Sequence, residues 1–294
     1  LICACIDIGS NTTRLLVADA GDGRLRELVT QRAFTRIGKS LGNGSVIPPE
    51  KIAETAEVVR TQAAVAAEVG AQHIVAVATA AIRTAHNRDE LVSAVQEAGG
   101  MELSVLSGEE EARLSFVGAT RTLLEPPEGT VAVVDVGGGS SEIAIGLADG
   151  EMTWSESFRI GSGFLADAYL RSDPPSADEL EKVRRHVDGT FEGLEPPEAA
   201  SAVAVGGTAT SLRRLVGAEL EHETLERGIR VLSSTPMGEV AERFELDLER
   251  VRLLPAGILI LEAISDLLGL PLRIARGGLR EGLLLELVEG RRLA

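Results

Sequence analysis

Cysteine, aromatic rings, basic charge and long apolar runs are all scarce in this chain of 294 residues. Its two cysteines, Cys3 and Cys5, stand at a period of two that places both on one face of a strand. That pattern fits small core residues in a reduced, cytoplasmic protein. The four histidines, His73, His86, His186 and His222, are scattered singly, so a zinc site lacks ligands at workable spacing. The longest apolar runs, such as residues 253–261, fall short of the roughly 18 to 20 residues that cross a bilayer. The opening segment reaches Asp7 without a basic region or cleavage site, so neither a membrane span nor a signal peptide is expected. With 29 basic against 45 acidic residues the formal net charge is -16, which disfavours nonspecific binding to nucleic acid or to an anionic membrane. An anionic substrate stays open, provided that local arginines, backbone amides or a metal offset the general field.

The composition that remains, 44% hydrophobic and 25% charged, is that of a folded globular protein, and the length suggests about two domains. Short apolar runs alternate with longer helical periods, which predicts α/β architecture. Strands are expected at residues 2–8, 14–20, 73–78, 101–106 and 202–205. A helix is expected at 49–69, where Ile52, Ala56, Val59, Ala63 and Ala66 recur on one face. Asn87 and Glu90 have the spacing of a capping box at the start of another. Prolines and glycine interrupt both periods at 123–130, which predicts domains at 1–125 and 126–294. The closing "LREGLLLELVEG" predicts an amphipathic helix at about 280–294, with the first domain as a possible packing partner.

The chain then begins again. "DIGSNTTRLLV" from Asp7 overlays "DVGGGSSEIAI" from Asp135 at an offset of 128 residues: an aspartate, a small polar turn, one charge, then a strand. This is an internal repeat of one hairpin. Its turns, Gly9, Ser10, Asn11 and Thr12 in the first copy and Gly137, Gly138, Gly139, Ser140 and Ser141 in the second, suit phosphate held by backbone amides. A tight hairpin turn is the plainer alternative. A third glycine turn, Gly206, Gly207 and Thr208, opens a helix and is a further phosphate-binding candidate. None of them fits the P-loop or the dinucleotide fingerprint in its strand-to-helix context.

The charges at equivalent places differ. Asp135 and Glu142 could share a hard cation such as Mg²⁺ or another divalent ion, with Asp7 as an additional candidate, whereas Arg14 could grip a phosphate oxygen. In "SGEEEARL", Ser107 and Glu110 have capping-box spacing, and Glu111 is either a further first-turn acid or a general base. Arg83 lies just beyond a strand end, as a phosphate clamp or a surface arginine.

Together "IDIGSNTTRLLV", "ATAAIR", "LSGEEEARL", "VDVGGGSSEIAIG", "AVGGTATSL" and "GGLREGLL" resemble the exopolyphosphatase and guanosine pentaphosphate phosphohydrolase family, Ppx/GppA. That family belongs to the acetate kinase, sugar kinase, Hsp70 and actin superfamily, and the match runs in order over almost the whole chain. The resemblance implies two ribonuclease H-like domains of the actin-like ATPase type, with an active-site cleft between them. It implies metal-dependent hydrolysis of terminal phosphoanhydride bonds of polyphosphate. It makes Glu111 the catalytic base, Asp135 and Glu142 the metal carboxylates, Gly9–Thr12 and Gly137–Ser141 the phosphate loops, and Arg83 a phosphate ligand. Guanosine pentaphosphate or nucleoside triphosphate hydrolysis is the nearest alternative. A non-catalytic sensor of polyphosphate or an alarmone is another, and a homodimer is suggested. The apolar stretch 253–264 is either dimer surface or buried core. The chain resembles the short form, without an HD-type domain, and carries Arg252 where many relatives have an acid.

Overall fold

The structure, a computed structural model, describes residues 1–21, 24–41, 45–123, 125, 127–149 and 151–290. The chain separates into two compact units, Leu1–Gly118 with Gly278–Ala294, and Ala119–Gly277. The first division thus falls before the expected one at 125/126. Residues 124 and 126 of that proline-rich stretch, and 291–294 of the expected last helix, lie outside the described residues.

In the first unit, β1 (Ile2–Ile8), β2 (Thr13–Asp19), β3 (Arg26–Ala33), β4 (His73–Ala78) and β5 (Leu103–Val105) form a sheet ordered β3-β2-β1-β4-β5. The first three run antiparallel; β4 and β5 continue parallel to β1. The helices are α1 (Ile37–Ser40), α2 (Pro49–Glu68), α3 (Ala80–Thr84), α4 (Arg88–Gly99) and α5 (Gly108–Arg121). β1 reads as an almost continuous apolar run because both of its faces are covered. Ala4, Ile6 and Ile8 pack with Ile52 and Val59 of α2 and Leu91 and Val95 of α4. Cys3 and Cys5 pack on the other face with Leu114 of α5 and with Leu283 and Leu284. Both cysteines are free and buried, and burial pushes the Cys5 thiol well above its usual range, as expected of a structural rather than a reactive thiol.

The second unit repeats the plan. β6 (Thr130–Val136), β7 (Ser141–Leu147), β8 (Met152–Phe158), β9 (Ser201–Val205), β10 (Glu219–Leu220) and β11 (Leu272–Ile274) are ordered β10-β11-β9-β6-β7-β8. Setting β10 aside, β8-β7-β6-β9-β11 corresponds strand for strand, and in direction, to the sheet of the first unit. The helices are α6 (Ser162–Tyr169), α7 (Ala177–Phe191), α8 (Gly206–Val216), α9 (His222–Ser234), α10 (Met237–Arg243) and α11 (Leu248–Leu268). The apolar stretch of α11, Leu253, Leu254 and Ile258 to Leu261 among it, is buried in this unit's core, so it is not a surface for a second copy. Among the described residues no helix is long and apolar enough to cross a membrane.

Two sequence expectations need correction. Asn87 precedes α4 without capping it: its side chain bridges to Ile47, accepting from the backbone N–H at 2.8 Å and donating to the carbonyl at 3.0 Å. The last helix, α12 (Leu279–Val288), is not amphipathic, because Gly282 to Glu286 are all buried. Its apparent polar face includes Glu286, which pairs with Arg113 of α5. The two helices touch backbone to backbone: a methyl group on Gly282 would lie 2.0 Å from the Leu114 carbonyl oxygen, and one on Gly118 would lie 1.9 Å from that of Gly278.

Gly282→Ala must therefore push α5 and α12 apart, and a loss of about 3 kcal/mol is expected in urea unfolding. Gly189→Ala, on an exposed turn of α7 with open space at its Cβ, is expected to be neutral or to stabilise by up to about 1 kcal/mol. Equal effects at the two positions would refute the close packing.

Candidate active site

The repeat read from the sequence is a repeat in space. The strands of the first hairpin, Ile2–Ile8 and Thr13–Asp19, recur at the same offset as Thr130–Val136 and Ser141–Leu147. Both turns close identically, Gly9 N–H to the Thr12 carbonyl and Gly137 N–H to the Ser140 carbonyl, each at 3.0 Å. In each unit a neighbouring helix then ties down the turn's carbonyl oxygens. In the first, Gly38 N–H of α1 donates to Ser10 O at 2.7 Å and Arg36 N–H to Asn11 O at 3.1 Å. In the second, Ser162 N–H and Phe164 N–H of α6 donate to Gly137 O and Gly138 O, both at 2.9 Å. In a trans peptide the N–H points opposite to the C=O. Tying carbonyls to the helix therefore directs the amides of Asn11, Thr12, Gly138 and Gly139 to the other side, as an anion cradle requires.

The brace explains small residues that the sequence left unassigned. A Cβ on Gly161 would lie 2.5 Å from Gly138 C and Gly139 N, and one on Gly163 would lie 2.9 Å from Gly138 O. Arg36 sits in left-handed backbone (φ 52°), a strained conformation that places its N–H on the turn. No residue-type signal marks that role, since every residue but proline carries the N–H. The hydroxyls of two residues in the predicted phosphate turns are engaged within the protein: Ser141 Oγ donates to Ile160 O at 2.8 Å, and Thr208 Oγ1 to Val136 O at 2.9 Å. They brace the loop.

Across the second hairpin Asp135 stands directly opposite Glu142. Like charges so placed repel unless something is shared between them. Glu142, only 4% exposed, accepts from Ser157 Oγ at 2.8 Å, which fixes its orientation. Gly206, where α8 begins with φ +83°, leaves room for the other carboxylate: a Cβ there would lie 2.2 Å from Asp135 Oδ1. Among the described residues no three His, Cys, Asp or Glu side chains gather in a metal-binding group. Two carboxylates fit a hard ion such as Mg²⁺, which keeps waters and takes substrate oxygens as its remaining ligands. In the first hairpin the equivalent pair is Asp7 opposite Arg14, whose Nε donates to Thr12 Oγ1 at 3.2 Å.

The three successive glutamates of α5 separate by environment. Glu109 is exposed; Glu110 closes the capping box, its carboxylate accepting from Ser107 N–H at 2.7 Å and its own N–H donating to Ser107 Oγ at 3.1 Å. Glu111 is 5% exposed and its carboxylate pairs with Nη1 of Arg83. The same nitrogen donates to Leu106 O at 2.7 Å. Arg83, expected as a phosphate clamp or a surface arginine, is thus the partner of the expected base. Arg252 is held by Asp167 at 2.6 Å, with Glu249 at 3.7 Å.

The model of the Ppx/GppA phosphatase family matches residues 16–290. The chain belongs to this family. It is 31% identical to exopolyphosphatase 1 of Mycobacterium tuberculosis over 95% of this chain and 86% of that one. It is 28% identical to guanosine-5'-triphosphate,3'-diphosphate pyrophosphatase of Vibrio parahaemolyticus over 97% of this chain and 59% of that one. The crystal structure of the Aquifex aeolicus member of the Ppx/GppA family superposes with a TM-score of 0.83 at 27% identity, covering 100% of this chain and 99% of that one. An exopolyphosphatase structure from Cytophaga hutchinsonii gives 0.89 at 22% identity, with 99% of each chain covered, a likeness of fold. The mixed α/β fold with two sheets is therefore the family's fold.

Removing Arg83 leaves the buried Glu111 carboxylate without that counter-charge. Arg83→Gln is expected to lower stability by about 2 kcal/mol, and less when Glu111→Gln is already present, with a coupling of about 1 kcal/mol in a double-mutant cycle. Additive losses in urea unfolding would dispose of the pair as an energetic unit.

Proposed function

We propose that this protein is an exopolyphosphatase, which hydrolyses the terminal phosphoanhydride bond of inorganic polyphosphate and releases orthophosphate. The carrying observation is the separation of charge roles on one repeated hairpin. The first copy sets Arg14 by its turn, the second sets two carboxylates by its own, and a buried glutamate, Glu111, stands ready beside Arg83. The mycobacterial relative named exopolyphosphatase supports the same substrate.

On this reading the amides of Gly9–Thr12 and Gly137–Ser140 donate to non-bridging phosphoryl oxygens, with Gly206 and Gly207 as further donors. Arg14 and Arg83 supply full positive charge. Arg83 makes both of its side-chain hydrogen bonds within the described residues through Nη1, and a phosphate oxygen would be met by its other nitrogens. Glu111 accepts a proton from a water as that oxygen bonds to the terminal phosphorus; the bridging P–O bond breaks and its electrons go to the shortened chain. A divalent cation held by Asp135 and Glu142, with Asp7 as a further candidate, would neutralise charge on the oxygens during transfer. Positioning and electrostatics carry such a reaction, because the protein forms no bond to phosphorus.

The Vibrio relative supports a second reading, removal of the 5' γ-phosphate of guanosine pentaphosphate by the same groups. A sensor that binds these anions without cleaving them is the reading from another class. A reduced, cytoplasmic setting agrees with the two buried free thiols, and the suggested homodimer is a question for sedimentation.

Orthophosphate release from polyphosphate and from guanosine pentaphosphate, with Mg²⁺ and with chelator, ranks these readings. Glu111→Gln is expected to cut turnover at least about 100-fold while polyphosphate binding stays within a few-fold. Undiminished turnover would remove Glu111 as the base; tight binding without release by the wild type would establish the sensor.

A further inference from the structure

Arg14 has a second charged neighbour. Its partner across the β2–β3 pair is Arg32, so Asp7, Arg14 and Arg32 form one row over three strands. Directly opposed side chains of an antiparallel pair have Cβ atoms about 5 Å apart, and like charges there are destabilising. A chain with a large acidic excess nonetheless places two arginines in this position, at the end of the sheet where the first glycine turn lies. The row is extended by the segment that follows β3. The guanidinium groups of Arg32 and Arg36 both lie over the ring of Phe34, at 5.2 and 5.9 Å from its centroid. Such a contact attracts a cation to the ring, and phosphate is recognised by guanidinium N–H groups. One ring thus gathers two cations beside the first glycine turn.

The segment is also fastened to the turn. Thr35, buried, shares a hydrogen bond of 3.1 Å with Thr13 through their hydroxyls, and the backbone N–H of Arg36 is the one that ties down Asn11 O. Arg32 itself is exposed. The three arginines are therefore mounted on the turn itself: Arg14 reaches back to Thr12, Arg36 holds the turn by its backbone, and Arg32 stands one strand further out.

We infer that Arg32 and Arg36, set on Phe34, form a subsite for phosphate groups beyond the reacting end of the substrate. The subsite continues outward from the Gly9–Thr12 turn across β2 to β3. The inference rests on the reading of that turn as a phosphate loop. The ligand chemistry is a phosphate at a distance from the scissile bond, either the distal part of a polyphosphate chain or the 3'-diphosphate of a guanosine nucleotide.

The test compares Arg32→Ala, Arg32→Lys and Phe34→Leu with wild type on four substrates: long-chain polyphosphate, tripolyphosphate, guanosine pentaphosphate and GTP. For Arg32→Ala, KM for long-chain polyphosphate is expected to rise about tenfold relative to KM for tripolyphosphate, with Arg32→Lys recovering most of the loss. Phe34→Leu, which keeps both charges and removes their platform, is expected to move the same ratio in the same direction. A rise for guanosine pentaphosphate relative to GTP instead assigns the subsite to the 3'-diphosphate. Equal changes on short and long substrates, or none, overturn the inference. Equilibrium binding of long-chain polyphosphate separates it from the hydrolase reading. A wild type that releases no orthophosphate yet binds the chain about tenfold more tightly than Arg32→Ala keeps the subsite and loses the hydrolase. A wild type that turns over with the ratio unmoved does the reverse.

Discussion

A turn that offers its amide N–H groups to an anion exposes, on its other side, carbonyl oxygens that must be answered within the protein. Both units meet this constraint by the same means, with two N–H groups, two residues apart, at the start of the helix that follows the third strand. Much else is a consequence. The helix must come within hydrogen-bond reach of the turn, which in the second unit admits no Cβ at Gly161 and leaves less than 3 Å for one at Gly163. In the first unit the approach is made by a helix of one turn entered through a left-handed arginine. Hydroxyls of the expected phosphate turns, Ser141 and Thr208, go to the same task of holding carbonyls.

With the backbone of the two hairpins so alike, their difference is electrostatic. At corresponding positions the first carries an aspartate opposite an arginine, the second an aspartate opposite a glutamate. An opposed acid and base partly satisfy one another and leave the turn suited to an anion. Two opposed acids are relieved by a cation, and a hard divalent ion also brings affinity for phosphate oxygens. One fold element, duplicated, thus carries an acid and a base in one copy and two acids in the other, within a chain of net charge -16.

The hairpins were legible because their signal is local: an apolar strand buried on both faces, a charge at its end, a small-residue turn, then a second strand. α2 and β4 were legible by period, and the expected 73–78 is the β4 found. What escaped depends on distant partners. β3 and β8 are edge strands with half-exposed patterns, and neither was anticipated. Asn87 has the right spacing for a cap, yet its amide goes to Ile47, forty residues away. α12 reads as amphipathic only until Arg113 supplies a partner for Glu286. Arg36 escaped because its fastening role is played by its backbone, and Arg32 because its importance lies in what stands across the sheet from it.

Glu111 shows where local reading ends. Three adjacent glutamates are equivalent in composition and nearly so in propensity; the cap removes one, solvent takes another, and only the tertiary position of Arg83 distinguishes the third. That pairing also bears on mechanism. An arginine beside a buried carboxylate holds it in place and balances its charge. On the proposed reading the substrate enters that pair, because a phosphoryl oxygen drawn to Arg83 competes for the positive charge that Glu111 otherwise shares.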